Sequence, residues 1–255
     1  MPAAETIRMN NVNDTYFGGY YKELWKSIIP DELTVKEIGF MIPYFNLGAG
    51  SRVLDLMCGY GRHTLALGRQ QISVTAVDNL PEYIREIEEA AAAEQLPVEA
   101  ICSGVLDFTG TGSYDLAICM GNSLNFFNAA DTTRLLKNTA SLLKPGGHLL
   151  INSWSMAEIV FRNFSASSWT TIGDIKFLSS SRLLFHPTRI ETENIFIPKE
   201  GESETRQAVD YIFSMNEMES MLNEAGLHLE EAFSIPGRKK FTAGEPRAYL
   251  VAVKK

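Results

Sequence analysis

An open, mostly parallel α/β sheet of seven strands, Rossmann-like and doubly wound, with an inserted antiparallel β extension, is the fold this sequence predicts. Three observations predict it. From Ser51 onward, short apolar runs alternate with segments of helical periodicity, which implies right-handed crossovers joining parallel strands. The strands are nearly all apolar, as strands covered on both faces must be. After Trp154 the pattern changes to β-rich runs separated by turn-like pieces.

Residues 15–45 read as helical and rich in aromatics, among them Tyr16, Phe17, Tyr20, Tyr21 and Trp25. RVLDL (52–56) is the first strand, followed by a glycine turn and a helix over 63–70. ISVTAV (72–77) is the second strand, and the Glu- and Ala-rich segment 81–95 is a helix with Pro81 in its first turn. Strands follow at 98–102 and 114–120, then a helix at 132–143 and a fifth strand at 148–152. Within 169–213 the runs DIKFLS, RLLFH, RIETENIFI and RQAVDYIF read as antiparallel hairpins. Ser214 with Glu217 three residues later forms a capping box that opens a helix, which Gly226 ends. Strands at 227–233 and 248–253 complete the sheet. The chain therefore divides into an N-terminal helical lid or packing segment (1–50), an α/β core (51–155), an antiparallel β insertion (156–213) and a C-terminal helix with strands (214–255).

Composition narrows the function. A chain of 255 residues, 45% hydrophobic, can bury one large core. Its net charge of −8 argues against a broad nucleic-acid footprint or an anionic membrane surface, both of which need surplus Lys and Arg. No segment approaches the roughly 18 apolar residues of a membrane span, so a cytoplasmic chain acting on a small molecule is expected. Cys58, Cys102 and Cys119 form no CxxC pair, and none of the four histidines has metal-ligand spacing, so neither disulfides nor a metal site is expected.

The chemistry concentrates in LDLMCGYGRH (54–63), at the carboxyl end of a strand, where open α/β sheets bind ligands. Gly59 and Gly61 allow close backbone approach, and the following helix offers free N–H groups. Asp78, closing the second strand, can accept both hydroxyls of a ribose, so a nucleoside-containing ligand is implied. A dinucleotide fingerprint would place a third glycine at Thr64, which weakens the pyrophosphate reading.

The motifs then align with a family. Asp55, Gly59 and Gly61, with Asp78, Asp107 in SGVLDF, Tyr114-Asp115-Leu116 leading to Met120-Gly121-Asn122-Ser123, and LLKPGGHLLI (142–151) resemble the class I S-adenosylmethionine-dependent methyltransferases over residues 50 to 155. Met57 replaces that family's first motif glycine, and an extended or bridge backbone with negative φ, its side chain packed away from the ligand, is expected there. RNF at 162–164, Trp169, the hairpin RLLFHPTRIETENIF, then YIFSMNEMESMLNEAG and PRAYLVAVK resemble a branch of small-molecule methyltransferases that carry an antiparallel β extension. The resemblance implies a cofactor site for S-adenosyl-L-methionine, with S-adenosyl-L-homocysteine as product, at Asp55, Met57, Cys58, Gly59, Gly61, Asp78, Asn79, Leu106, Asp107, Met120, Gly121, Asn122 and Tyr20. It places Asp78 at the ribose, Asp107 at the adenine amino group and an N-terminal tyrosine at the methionine part.

Plainer readings stand beside these. Asp55 and Asp78 can cap the helices that follow them, and Asp107 can be a solvated loop residue. His63 suits either a structural bond or contact with substrate, and Asn122 either holds its turn or, with Asn125, orients an acceptor. The N-terminal aromatics serve equally as core or as lid. Together these readings predict methyl transfer to an O or N atom of a small molecule by in-line displacement, with His63, Asn122 and Asn125 as catalytic candidates and a homodimer formed through the insertion. The rivals are a non-catalytic nucleoside-binding protein and an NAD-dependent oxidoreductase.

Overall fold

A computed structural model describes residues 11–255; residues 1–10 of the N-terminal segment lie outside the described residues. The described residues open with a 3-10 turn at Val12–Thr15 and two helices, α1 (Tyr20–Ile28) and α2 (Asp31–Tyr44). The core then runs β1 (Arg52–Leu56), α3 (Arg62–Arg69), β2 (Ser73–Asp78), α4 (Pro81–Glu94), β3 (Val98–Cys102), β4 (Tyr114–Cys119), α5 (Ala129–Leu142) and β5 (Leu143–Ser153). After α6 (Ala157–Asn163) come β6 (Ser167–Ile172), β7 (Ile175–Leu184), β8 (Arg189–Pro198) and β9 (Glu204–Tyr211). The chain closes with α7 (Met215–Glu224), β10 (Leu227–Ile235), β11 (Lys239–Lys240) and β12 (Ala248–Lys254).

The central sheet has the order β11-β10-β12-β5-β4-β1-β2-β3. Strands β1 to β5 are mutually parallel, β12 inserts antiparallel beside β5, and β10 pairs antiparallel with β12. It carries eight strands where seven are expected, because two lysines after a bulge in β10 add the short edge strand β11. Strand order reverses between β1 and β4, which leaves a crevice at their carboxyl ends.

Alternate residues of the central strands serve opposite faces, as the pleat requires. Leu54 and Ala117 pack with Leu135, Leu136 and Met218 of α5 and α7. Val53, Leu116 and Ile118 pack with Ile38, Met41 and Leu67 of α2 and α3. The capping box at Ser214 forms as its spacing predicts, with the Ser214 N–H donating to Glu217 Oε2 at 2.7 Å, and Gly226 ends the helix at φ 78°.

The insertion is a separate four-stranded antiparallel sheet, β6-β7-β8-β9. DIKFLS and RLLFH, separate runs in the sequence, join in the single strand β7. The serines between them resemble a turn but lie on a pleated surface, where Ser181 Oγ meets Thr192 Oγ1 across the strands at 3.0 Å. Strand β9 is stapled to the N-terminal turn, since Asn13 Nδ2 donates to Val209 O at 2.9 Å and Val209 N–H donates back to Asn13 Oδ1 at 3.0 Å. Among the described residues no helix is long and apolar enough to cross a membrane.

Candidate active site

The crevice holds a cavity of about 390 Å³, lined from β1, β2, β4, the loop after β3 and the N-terminal segment. Its floor is the glycine turn, which Cys58 N–H fastens to Val77 O at 3.1 Å and Gly61 N–H closes onto Cys58 O at 3.1 Å. The two glycines play different parts. A Cβ on Gly59 would meet nothing within 4 Å, so its backbone faces the cavity, whereas one on Gly61 would fall 2.5 Å from Ile87 Cγ1. Gly61 is therefore there for helix packing against α4, and it does not line the cavity.

Met57 departs from its expected conformation. Its φ is 53°, left-handed, the backbone normally left to glycine. The chain must swing from β1 into a turn whose next amide bonds to β2, and that path requires positive φ whatever side chain stands there. The cost is about 1–2 kcal/mol for an L-residue. The side chain is half-buried and packs against the core while still bordering the cavity.

Two acids anchor this floor. Asp55 is buried and accepts from Thr64 Oγ1 at 2.6 Å; burial raises its pKa above the ordinary range. Thr64, at the third dinucleotide position, is thus a partner of Asp55. Asp78 accepts Gly59 N–H through Oδ2 at 2.9 Å and Leu80 N–H through Oδ1 at 3.0 Å. Burial raises the Asp78 pKa as well, more than its backbone donors lower it. Both oxygens keep a second lone pair, so the cap and a cavity contact coexist. Asn79, Leu106, Asp107, Met120 and Gly121 also line the cavity.

The N-terminal segment covers the cavity. Phe17, Tyr21 and Trp25 recur at intervals of four and line it, Tyr21 and Trp25 with rings stacked at 5.7 Å. Tyr83 Oη donates to Phe17 O at 2.6 Å, Asn79 Nδ2 to Asp14 O at 3.0 Å and Asn11 Nδ2 to Phe126 O at 2.7 Å, which tie the segment down. Tyr20 does not take part: its hydroxyl lies beside Gly201 and its N–H donates to Glu204, because a one-residue step on a helix turns a side chain by about 100°.

Asn122 and Asn125 turn away from the cavity. Asn122, left-handed at φ 69° and 1% exposed, donates through Nδ2 to Ser155 Oγ at 2.9 Å and Asp210 Oδ1 at 2.8 Å. Its Oδ1 accepts the N–H groups of Trp154 and Ser155, each at 3.0 Å. Asn125 donates to Tyr211 O at 2.8 Å and accepts from Ser153 Oγ at 2.8 Å. Both amides are spent joining β4, β5 and β9, and neither residue lines the cavity. Asp210, half-buried against this hub, is pushed up to about 6 by desolvation, which outweighs the bonds from Ser155 and Asn122.

His63 does line the cavity, and it leads to a cluster that sequence reasoning missed. His63 Nε2 lies 2.8 Å from Glu37 Oε2, Arg62 Nη1 donates to the same oxygen at 2.5 Å, and Tyr249 Oη donates to Oε1 at 2.7 Å. Burial pushes the Glu37 carboxyl up, but His63 and Arg62 outweigh it and hold the group at about 2. The only available signal was Glu37 itself, a charge on the inward face of an otherwise apolar helical stripe.

Comparison with known proteins agrees with this geometry. Residues 53–147 match a family model described as a methyltransferase domain. A ubiquinone biosynthesis O-methyltransferase of Xanthomonas oryzae pv. oryzae is 31% identical over 115 residues, covering 44% of this chain and 47% of the relative. One from Coxiella burnetii is 31% identical over 125 residues, 49% of this chain and 50% of that protein. The chain spans about half the length of the curated relatives it matches. Among solved structures, the CcbJ methyltransferase of Streptomyces caelestis superposes with TM-score 0.80 at 18% identity, covering 96% of this chain and 99% of that one. An S-adenosylmethionine-dependent methyltransferase of Clostridium acetobutylicum gives 0.79 at 17% identity, covering 92% and 96%. At these identities the likeness is one of fold.

Proposed function

We propose, given that residues 53–147 are a methyltransferase domain, that this chain moves a methyl group from S-adenosyl-L-methionine to an O or N atom of a small molecule. The observation that carries the reading is the cavity at the β1/β4 reversal, where Asp78 and the amide of Gly59 meet beside open space. The donor set fits such a ligand: a carboxylate for ribose hydroxyls, Leu106 and Asp107 for adenine, Asp55 beside the turn for the methionine part, and aromatic rings to cover it.

Bound S-adenosylmethionine supplies an already activated sulfonium carbon. An acceptor lone pair forms the new bond to that carbon while the carbon–sulfur pair passes to sulfur, leaving S-adenosylhomocysteine, and the acceptor's proton departs. Holding the acceptor close and in line supplies a large share of the rate, roughly 7–11 kcal/mol in well-oriented cases. Phe17, Tyr21 and Trp25 exclude water over the reacting groups. Of the three catalytic candidates His63 alone borders the cavity, with its Nε2 turned to Glu37 Oε2 at 2.8 Å.

Calorimetry with S-adenosylmethionine and S-adenosylhomocysteine tests the reading, and folded protein that binds neither overturns it. Release of S-adenosylhomocysteine on incubation with an acceptor library separates an enzyme from a protein that only binds the nucleoside. The chain is assigned to the cytoplasm, in keeping with three cysteines that are all unpaired. A second copy is assigned to the insertion's β6 edge, where Trp169 is 76% exposed; sedimentation as a monomer at high concentration in ultracentrifugation would remove that assignment.

A further inference from the structure

Behind the cofactor cavity lies a second chamber of about 290 Å³. Trp25, Arg62 and Gly121 border both spaces, so the two are contiguous at the end of β4. Their linings differ in charge. The first cavity is bordered by five aspartates, Asp14, Asp55, Asp78, Asp107 and Asp131, against two arginines, Arg62 and Arg134, an acidic surplus that suits a cationic ligand. The second has Arg62 and Arg247 and no carboxylate among its described lining residues, with Trp25, Trp154, Ile29 and Leu33 as apolar walls.

The two guanidiniums are held by one buried scaffold. Arg62 Nη1 donates to Glu37 and, at 3.1 Å, to Thr34 Oγ1, while Tyr249 Oη donates to the other oxygen of Glu37. The Tyr249 hydroxyl also interacts with Arg247. Glu37 is 2% and Tyr249 1% exposed, so this scaffold is rigid and out of solvent. One carboxylate offsets one of the two arginines, and the partner given to the other is a neutral hydroxyl. The chamber thus keeps a surplus positive charge and unspent fork donors, the recognition pattern for an oxyanion.

We infer that this chamber receives the methyl acceptor, and that the acceptor is a small molecule with a flat apolar body against Trp25 and Trp154 and a carboxylate or phosphate at Arg62 and Arg247. The inference rests on the methyltransferase reading, because it needs the first cavity to hold the methyl donor. Trp25 and Trp154, ring centroids 5.8 Å apart and tilted by 45°, offer an angled apolar wall next to Gly121, where an added Cβ would meet nothing within 4 Å. The acceptor's reactive end then enters past Gly121 while its anion stays behind.

The test is titration of S-adenosylhomocysteine-saturated protein with phenylacetate, phenyl phosphate and phenylacetamide, followed by calorimetry. The acids are expected to bind at least about tenfold tighter than the amide, the difference one charged hydrogen-bonding pair supplies. Whichever acid binds more tightly identifies the anion class. Arg247→Gln should erase the acid preference while S-adenosylhomocysteine affinity and melting temperature hold, since Arg247 does not line the first cavity. Arg247→Lys, which keeps the charge but loses the fork, should restore part of it. Equal binding of acid and amide, no binding of either acid, or an acid preference that survives Arg247→Gln, each with S-adenosylhomocysteine still bound, would overturn the inference and leave the proposed function standing. Failure of folded wild-type protein to bind S-adenosylhomocysteine would remove both.

Discussion

The carboxylate of Asp78 accepts the Gly59 amide proton at 2.9 Å, so the residue that closes β2 also sets the turn that follows β1. One side chain ties together the two strand ends that border the cavity. Asp78→Asn keeps an acceptor for Gly59 but removes the charge that borders the cavity. S-adenosylhomocysteine affinity should fall roughly 10- to 100-fold, the range for hydrogen bonds to a charged group, with the fold retained. Unchanged affinity by calorimetry would show that the acid serves the turn alone.

Met57 spends conformational energy that a glycine would not. Met57→Gly removes left-handed strain of about 1–2 kcal/mol, but it loses side-chain packing and adds unfolded-state entropy of about 0.5–1 kcal/mol. Stability in urea should therefore change by less than about 1 kcal/mol, and nucleoside affinity should hold. A loss several times larger would mean that the side chain, not the backbone, shapes the site.

Glu37 is held at about 2, below its ordinary 4.5, so its ionised form stabilises the fold. That contribution is full above pH 4.5 and is lost as pH falls towards 2, an effect of about 3 kcal/mol. Glu37→Gln should remove this acid limb and lower stability at neutral pH, because Arg62 and His63 lose the charge they share. An unaltered pH profile of the melting temperature would contradict it.

Asp210 has the opposite sign. Its folded pKa, about 6 against 3.8, means that the native state holds the proton more tightly, so stability falls as pH rises from about 4 to about 6 and stays lower above. Asp210→Asn, which keeps one acceptor oxygen for Asn122 and Ser155 to share as they share Oδ1, should flatten that window and stabilise the protein at pH 7 by at most about 3 kcal/mol. Destabilisation at pH 7 would show that the ionised hub is favourable.

Much was legible in the sequence because it is local. The apolar runs at 52–56 and 98–102, the helix after Pro81 and the Ser214 capping box depend on neighbours within a turn or a strand, and they form where the pattern places them. That Asp55, Asp78 and Gly59 share one crevice was legible for the same reason, since strand ends in such a sheet converge whatever lies between them, whereas the packing role of Gly61 against α4 was not. Other features were decided by tertiary contact. Glu37 meets His63 and Tyr249 across 26 and 212 residues, pairings that no spacing announces. Asn122 faces Asp210 because a second sheet, 88 residues onward, packs against the end of β4. Tyr21 rather than Tyr20 covers the cavity because the rotation of α1 is set by what it packs on, and Met57 is left-handed because the bond from Cys58 to β2 dictates the path of the turn. Periodicity reports which residues are buried; which buried polar groups meet depends on how distant elements are docked, and that docking is a property of the whole fold.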